Sequence, residues 1–262
     1  MAKGRLNKKV VAFIQARVKS TRLPHKVLLP IADKMLIEHV IERLKRASLP
    51  DEIMLCTSTH PDDRVLMEIA RKNNIGCFAG SEEDVLQRFI QAAEKSRADV
   101  VVRATGENPL IDPFYLDRAV EKHFERGVEY TSVEGLPDGV RIEVIDTLAL
   151  QKAHKLADNP TKSEYMTLYF RDDFFKVHSI GAAEHLKRPH YRLTVDNPED
   201  LELMREIYKA LYKPGEIIPL EDVIRFLDNH PELVQINSRI IARQIRREVV
   251  TRGQPRIKII EE

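Results

Sequence analysis

Short apolar runs alternate with amphipathic segments through the first half of the chain. Between the runs, apolar residues recur at helical spacing, as in the series Leu36, Val40 and Leu44. A strand followed by a helix that leads to the next strand is the repeating unit of a parallel sheet. The pattern therefore predicts an α/β fold, with a mixed, mostly parallel sheet flanked by helices. The first four predicted strands are 9–15, 52–57, 75–78 and 98–104.

The second half has a mixed pattern in which strands and helices do not alternate strictly. We predict strands at 128–133, 140–145, 174–180 and 191–195, and helices near 146–157 and 161–171. We assign 1–240 to one domain, with an extension or lid around 128–195. The segment 241–262 is a basic tail without the aromatic residues that could stack on nucleic-acid bases. We expect the tail to be solvated or to contact another subunit.

The charge of the chain is nearly balanced, with 42 Lys and Arg against 41 Asp and Glu. Such a chain has no overall field that would draw it to nucleic acid or to an anionic membrane. No apolar run approaches the roughly 18 residues of a membrane-spanning helix, and no apolar targeting core follows the opening MAKGRLNKK. Cys56 and Cys77 lie in apolar stretches, as expected of reduced, buried thiols. We expect a soluble cytoplasmic protein in which any anion site is local.

A loop rich in basic residues follows the first predicted strand. The stretch QARVKSTRLPHKVL, 15–28, contains Arg17, Lys19, Arg22 and Lys26, and we call residues 16–26 the basic loop. Open α/β sheets bind ligands at the carboxyl ends of their strands, and backbone amides in such turns can cradle phosphate oxygens. The loop contains no glycine, so it matches neither of the glycine-rich phosphate motifs. Its chemistry fits a triphosphate, although solvated cationic loops are also common.

Five blocks of sequence resemble, in order, those of the sugar-activating cytidylyltransferases. That family acts on 3-deoxy-manno-octulosonate, acylneuraminate and spore-coat polysaccharide sugars, and the resemblance is closest to the last branch. It implies a glycosyltransferase-A-like nucleotidyltransferase fold, CTP and a small-molecule acceptor as substrates, Mg²⁺ as cofactor and a homodimer. The blocks are QARVKSTRLPHKVL (15–28), GSEEDVLQRF (80–89), VVRATGENPLIDP (101–113), PDGVRIEV (137–144) and YRLTVDNPEDLELM (191–204).

The resemblance implies roles for residues within these blocks. Arg17 and Lys26 would act on the β- and γ-phosphates as catalytic groups, with Arg22 as a third contact and Lys19 solvated. Fixed cations at this position stabilise the negative charge that grows on the departing pyrophosphate. Further nucleotide contacts would come from Ala16, Ser58, Ser81, Arg88, Arg103 and Gly106.

Two carboxylates are implied as metal ligands, and one of them departs from the family pattern. Asp196 in TVDNPED matches the family's aspartate, whereas Glu107 in ATGENPL stands where the family has aspartate. The longer side chain of Glu107 either reaches the ion through water or belongs to a changed metal arrangement. In the basic loop, His25 stands where the family usually has glycine, which predicts a reshaped turn.

The acceptor side also departs from the pattern, because Arg141 replaces an aspartate and Tyr165 replaces a histidine. Arginine suits the recognition of carboxylate or phosphate. We therefore hypothesise an acidic or phosphorylated acceptor, with Lys162 and Arg192 nearby. The alternative is that Arg141 forms a structural ion pair. The proposed acceptor-binding residues are Arg141, Glu143, Glu164 and Tyr165, and Glu143 and Glu164 are also the candidate partners in that pair.

The sequence favours transfer of CMP from CTP to a sugar or related acceptor, with release of pyrophosphate. A glycosyltransferase that uses a ready-made nucleotide sugar is a first alternative. It is disfavoured because the Asp-x-Asp metal motif of that class does not occur in the sequence. A non-catalytic nucleotide-binding subunit is a second alternative, supported mainly by Glu107 and His25.

Overall fold

The computed structural model describes residues 5, 7–157, 159, 166–170 and 173–240. Two predicted acceptor residues, Glu164 and Tyr165, lie outside this part of the chain, as do Lys162 and the basic tail 241–262. The predicted helix near 161–171 lies partly outside it. No helix within the described residues is long and apolar enough to span a membrane.

Within the part of the chain that the structure describes, seven strands form one sheet that confirms the predicted mixed, mostly parallel topology. Their order is β5-β4-β1-β6-β8-β7-β9. Only β8 runs against its neighbours, antiparallel to both β6 and β7. The strands are β1 (Val10–Gln15), β4 (Glu52–Ser58), β5 (Gly76–Gly80), β6 (Val100–Thr105), β7 (Tyr130–Glu134), β8 (Glu143–Asp146) and β9 (Val177–Gly181). A separate antiparallel ribbon consists of β2 (Pro30–Ile31) and β3 (Lys34–Met35).

The helices of the described residues that flank the sheet are α1 (Leu36–Leu44), α2 (Arg64–Lys72), α3 (Val85–Ser96), α4 (Pro113–Arg126), α5 (Thr147–Leu156), α6 (Pro198–Leu211), α7 (Leu220–Asn229) and α8 (Pro231–Val234). Side chains alternate across a strand, and β1 shows which helices lie on which face. Val10, Ala12 and Ile14 pack with α1, α2, α4, α6 and α7. Val11 and Phe13 pack with α3 and α5. Both faces of the central strand are therefore buried under helices, as in other parallel sheets.

The predicted strand at 191–195 is wrong. Its backbone crosses the end of the sheet and bonds to two loops instead of to a strand. Leu193 N donates to the Asp138 carbonyl at 2.7 Å, and Val195 N donates to the Glu107 carbonyl at 3.0 Å. The apolar alternation that suggested a strand is real, since Tyr191, Leu193 and Val195 are all buried. The segment thus connects the loop after β6 to the loop before β8.

Candidate active site

The carboxyl ends of β1, β4 and β6 meet where the basic loop begins. Ala16 N donates to the Cys56 carbonyl at 3.3 Å, and Gly106 N donates to the Gln15 carbonyl at 2.9 Å. A Cβ at Gly106 would lie 2.9 Å from the Ala16 Cβ, so only glycine allows this approach. The predicted nucleotide residues Ala16 and Gly106 therefore lie side by side.

The basic loop ends in a short 3-10 turn, Lys26–Leu28, which follows a residue in a left-handed conformation. That residue is His25, with φ of 56°. The left-handed region costs an L-residue about 1 kcal/mol, which explains why glycine would be expected here. His25 thus adopts a backbone conformation that glycine would reach at lower cost.

Asp63 anchors the basic loop to the end of β4. Its Oδ1 accepts from Val18 N at 2.7 Å, and its Oδ2 accepts from Ser58 N at 3.1 Å and from the Ser58 hydroxyl at 2.5 Å. The carboxylate is buried, and its three donors compensate for its loss of solvation. The sequence does not single out Asp63, and it predicts Ser58 as a nucleotide contact without this partner.

Lys26 is buried between the two predicted metal ligands. Its Nζ lies 2.7 Å from Asp196 Oδ1 and 3.5 Å from Glu107 Oε2. Burial alone would lower the pKa of Lys26, but the two carboxylates outweigh this effect and raise it. The ammonium is therefore charged in a site from which most water is excluded.

Asp196 is contacted by three cationic side chains. Its Oδ1 accepts from Arg22 Nη2 at 2.8 Å as well as from Lys26, and its Oδ2 accepts from Arg192 Nη2 at 2.9 Å. Burial would raise the pKa of Asp196, but Lys26, Arg22 and Arg192 lower it below its usual value. The carboxylate is thus held ionised, as a metal ligand must be.

The donor set fits a hard divalent cation such as Mg²⁺. The carboxylates of Glu107 and Asp196 both face the Lys26 ammonium, so a cation at this edge would have oxygen ligands from two elements. Within the described residues, no group of three or more His, Cys, Asp or Glu side chains could hold an ion alone. Two protein carboxylates completed by phosphate oxygens and water are the usual arrangement for Mg²⁺ at a nucleotide.

Arg88 is a buried cation beneath the ends of β4 and β5. It is 2% exposed, its Nη1 donates to the Ser81 carbonyl at 3.1 Å, and its Nε has no hydrogen-bond partner among the described residues. Burial lowers the pKa of this guanidinium, and the nearby Arg17 lowers it further. The structure thus brings Arg17 and Arg88 together, whereas the Ser81 hydroxyl accepts from Asp84 N in the turn before α3.

Arg103, a predicted nucleotide contact, lies in a cluster with Glu143, which was predicted to bind the acceptor. Its Nε donates to Gln15 Oε1 at 3.0 Å and its Nη1 to Glu143 Oε2 at 2.5 Å. The Tyr130 hydroxyl donates to Glu143 Oε1 at 2.7 Å, and burial together with this carboxylate raises the pKa of Tyr130. Glu143 therefore pairs with Arg103 and not with Arg141. The exposed Arg141 side chain has no hydrogen bond or ion pair with any described residue.

Arg192 does not face an acceptor, because its guanidinium is used by three carboxylates. It donates to Asp138 at 3.0 Å, to Asp196 at 2.9 Å and to Asp200 at 2.9 Å. A cavity of about 520 Å³ between the end of α6 and α7 shares none of the site residues named above. The candidate site at the carboxyl edge of the sheet is therefore separate from this cavity.

Fold and site together define a class, the nucleotidyltransferases built on a mostly parallel sheet with a basic loop after the first strand. The sequence profile of the family described as cytidylyltransferase matches residues 11–218. The chain therefore belongs to the cytidylyltransferase family and is a CTP-dependent nucleotidyltransferase.

Two relatives match over most of their length. An uncharacterised protein of Methanocaldococcus jannaschii is 35% identical over 88% of this chain and 96% of its own. The spore coat polysaccharide biosynthesis protein SpsF of Bacillus subtilis is 33% identical over 85% of this chain and 95% of its own.

Solved structures show the same fold. A cytidylyltransferase from Leptospira borgpetersenii superposes with a TM-score of 0.81 at 29% identity, over 87% of this chain and 98% of that one. A CMP:2-keto-3-deoxy-manno-octonic acid synthetase complexed with CTP superposes with a TM-score of 0.59 at 18% identity, over 77% of this chain and 99% of that one. The predicted nucleotidyltransferase fold is confirmed.

Proposed function

We propose that the protein transfers CMP from CTP to a sugar or related small-molecule acceptor and releases pyrophosphate. The observation that carries this proposal is the buried Lys26 ammonium, which faces Asp196 and Glu107 beside Arg22 at the carboxyl edge of the sheet. A relative named for spore coat polysaccharide biosynthesis supports a sugar acceptor.

The reaction we propose is an in-line attack by an acceptor oxygen on the α-phosphorus of CTP. The bond from the α-phosphorus to the oxygen that joins it to the β-phosphate breaks, and the pyrophosphate takes the electron pair. An acceptor that reacts as a hydroxyl releases its proton to solvent, and an already ionised acceptor has no proton to release. Lys26, Arg17 and Arg22 bind the β- and γ-phosphates and stabilise the charge that grows there. Lys26 and Arg22 would exchange Asp196 for phosphate oxygens when CTP binds. The protein contributes position and charge, so that no covalent intermediate is needed.

Asp196 and Glu107 would hold Mg²⁺ in the nucleotide complex. An ion held by these two carboxylates would supply positive charge that offsets part of the charge of the triphosphate. Asp196 is fixed by its neighbours, whereas the Glu107 side chain is 28% exposed and makes one long contact with Lys26. Asp196 is thus the better ordered ligand.

The remaining nucleotide contacts are assigned to the strand ends. Ala16 and Gly106 line the approach to the loop, and Ser58 and Ser81 mark the ends of β4 and β5. Arg88, a buried guanidinium with an unpartnered Nε, has the chemistry to bind a carbonyl or phosphate oxygen of the nucleotide.

Acceptor binding is assigned to Arg141, Glu143, Glu164 and Tyr165, whereas Arg103, which pairs with Glu143, stays with the nucleotide contacts. Arg141 is exposed and lies close enough to Tyr130 to influence that hydroxyl. An acidic or phosphorylated acceptor would find there a guanidinium that has no ion pair with the part of the chain that the structure describes. Arg141→Ala should raise the KM for the acceptor and leave the KM for CTP unchanged; an unchanged acceptor KM would exclude this role.

The proposed activity is tested by pyrophosphate release from CTP and Mg²⁺ across a panel of neutral, acidic and phosphorylated sugars. Release that depends on one acceptor class supports the proposal and names the class. Transfer from a nucleotide sugar without pyrophosphate release would indicate a glycosyltransferase. Tight CTP binding without release for any acceptor would favour a nucleotide-binding subunit.

A further inference from the structure

Asp200, in the first turn of α6, is a fully buried carboxylate next to the candidate metal ligand. Its side chain has 0% exposure. Its Oδ1 accepts from Arg192 Nε at 2.9 Å, and its Oδ2 accepts from Asp196 N at 3.1 Å and Asn197 N at 3.0 Å. A buried carboxylate persists only when such donors replace its water.

Asp200 and Arg192 together fix Asp196 from two directions. The backbone of Asp196 is held by Asp200, and its side-chain Oδ2 is held by Arg192 Nη2 at 2.9 Å. Its Oδ1 faces the opposite side, toward Lys26 and Arg22. The two oxygens of one carboxylate thus have separate environments, and only Oδ1 faces the basic loop.

The same network has a partner far along the chain. Asn237 follows α8 and is 2% exposed, and its Nδ2 donates to Asp200 Oδ1 at 2.9 Å and to the Arg192 carbonyl at 3.0 Å. Both protons of the amide are therefore used on the two residues that hold Asp196. Asn237 lies beyond residue 218, where the family match ends.

We propose that Asn237 is a positioning residue for the metal site: through Asp200 and Arg192 it keeps Asp196 Oδ1 directed toward the metal and the triphosphate. The segment after α8 then belongs to the metal site, because it carries Asn237. This inference rests on the proposed function, because it assumes that Asp196 binds a divalent ion together with CTP.

Removal of Asn237 leaves Asp200 Oδ1 and the Arg192 carbonyl each without one donor. Arg192 and Asp200 can then shift, and Asp196 loses the fixed orientation that metal binding requires. Partners that orient a metal ligand typically contribute 10- to 100-fold in metal affinity. Since Asn237 acts through two intermediates, we expect a loss of about 10-fold.

The test measures, by electron paramagnetic resonance, the affinity of the full chain for Mn²⁺ in the presence of saturating CTP. The variants are Asn237→Ala and the milder Asn237→Ser, with Ser238→Ala as the control. Ser238 is exposed, and its hydroxyl bonds to Gln235. Melting temperatures and CTP binding without metal are recorded for each protein.

We expect Asn237→Ala to weaken Mn²⁺ binding about 10-fold, and Asn237→Ser to weaken it in the same direction. Both should keep metal-free CTP binding within about twofold, as should Ser238→Ala. Folded Asn237 variants with unchanged Mn²⁺ affinity would show that Asn237 is only structural and would overturn the inference. Wild-type protein that binds CTP but no Mn²⁺ would contradict the proposed metal site itself, and the inference with it.

Discussion

Lys26 and Lys19 belong to the same loop, but their ammonium groups have different surroundings. The Lys26 side chain is 11% exposed and faces two carboxylates, whereas Lys19 is 65% exposed and has Glu82 at 3.6 Å. A cation in a site with little water interacts more strongly with a phosphate than one in bulk solvent. Lys26 is therefore the cation of this pair that we expect to act on the triphosphate.

Lys26→Ala should lower kcat for pyrophosphate release by about 100-fold or more, because a fixed charge at the leaving group is lost. Lys19→Ala is the matched control on the same loop and should stay within about twofold, as expected for a solvated charge. Steady-state kinetics with a responsive acceptor give both values. Equal losses in the two variants would contradict the assignment.

His39 is a buried histidine whose ionisation bears on stability. Its Nε2 donates to the Ile31 carbonyl at 2.8 Å, and burial lowers the pKa of His39 below its usual 6.5. Just below pH 6.5 the His39 ring is still neutral in the folded protein, whereas the same ring in the unfolded chain already binds a proton. The contribution of His39 to stability is thus present above pH 6.5 and lost as the pH falls below it.

The free energy of unfolding, measured with urea at pH 7.5 and pH 5.5, should therefore fall more in the wild type than in His39→Gln. The variant lacks the titrating ring and retains an amide donor for the Ile31 carbonyl. The difference between the two proteins removes the contribution of the other histidines. Identical pH dependence in both proteins would show that His39 does not titrate as stated.

At the level of elements, the regular strands and helices of the first half follow from hydrophobic periodicity, because each buries one apolar face. The same reasoning predicted a strand at 191–195, and that prediction is wrong. The alternation in this segment reflects burial against loops, a feature that periodicity cannot distinguish from a strand. The ribbon β2–β3 was missed because two-residue strands carry no periodicity.

The candidate site also has residues that the sequence predicts and residues that it does not. The sequence placed Lys26, Glu107 and Asp196 in blocks of known type, and the structure brings these three together. Nothing in the sequence indicates that Asp63 supports the basic loop or that Asn237 supports the position of Asp196. Buried polar partners follow from tertiary contacts and not from any repeat in the sequence. Asp200 is the one support with a local sequence signal, because an acid three residues after Asn197 is typical of a helix start.

Gly139 lies in the loop before β8, in close contact with the segment that carries Asp196. It has φ of +93°, and a Cβ there would lie 2.3 Å from Thr194 N. We predict that Gly139→Ala lowers the free energy of unfolding by about 3 kcal/mol, through backbone strain and steric overlap. Gly127→Ala is the control, since Gly127 also has a positive φ, +59°, but no atom within 4 Å of its Cβ.

Gly127→Ala should cost about 1 kcal/mol, the conformational term alone. Urea unfolding of both variants separates the two effects. Similar losses would mean that the contact between Gly139 and Thr194 is not as close as described.

Over the whole molecule, a formal net charge of +1 coexists with a strongly charged site. The parallel half of the sheet, β5-β4-β1-β6, supplies the basic loop and the residues we propose to bind the nucleotide. The part beyond β6 supplies Glu143 and Arg141, and α6 begins beside Asp196. The cations and carboxylates of the site thus come from distant parts of the chain and meet only in the folded protein. Binding of CTP to this site should therefore stabilise the folded state as a whole.

The central claim is most directly tested by the melting temperature with CTP, UTP, ATP and GTP, each with and without Mg²⁺. A ligand at about 100 times its Kd stabilises the native state by about 2.7 kcal/mol, which for a chain of this size corresponds to roughly 5 °C or more. We predict that CTP with Mg²⁺ gives the largest shift and that Lys26→Ala abolishes it. No shift with any nucleotide, or a CTP shift that Lys26→Ala leaves intact, would contradict the account.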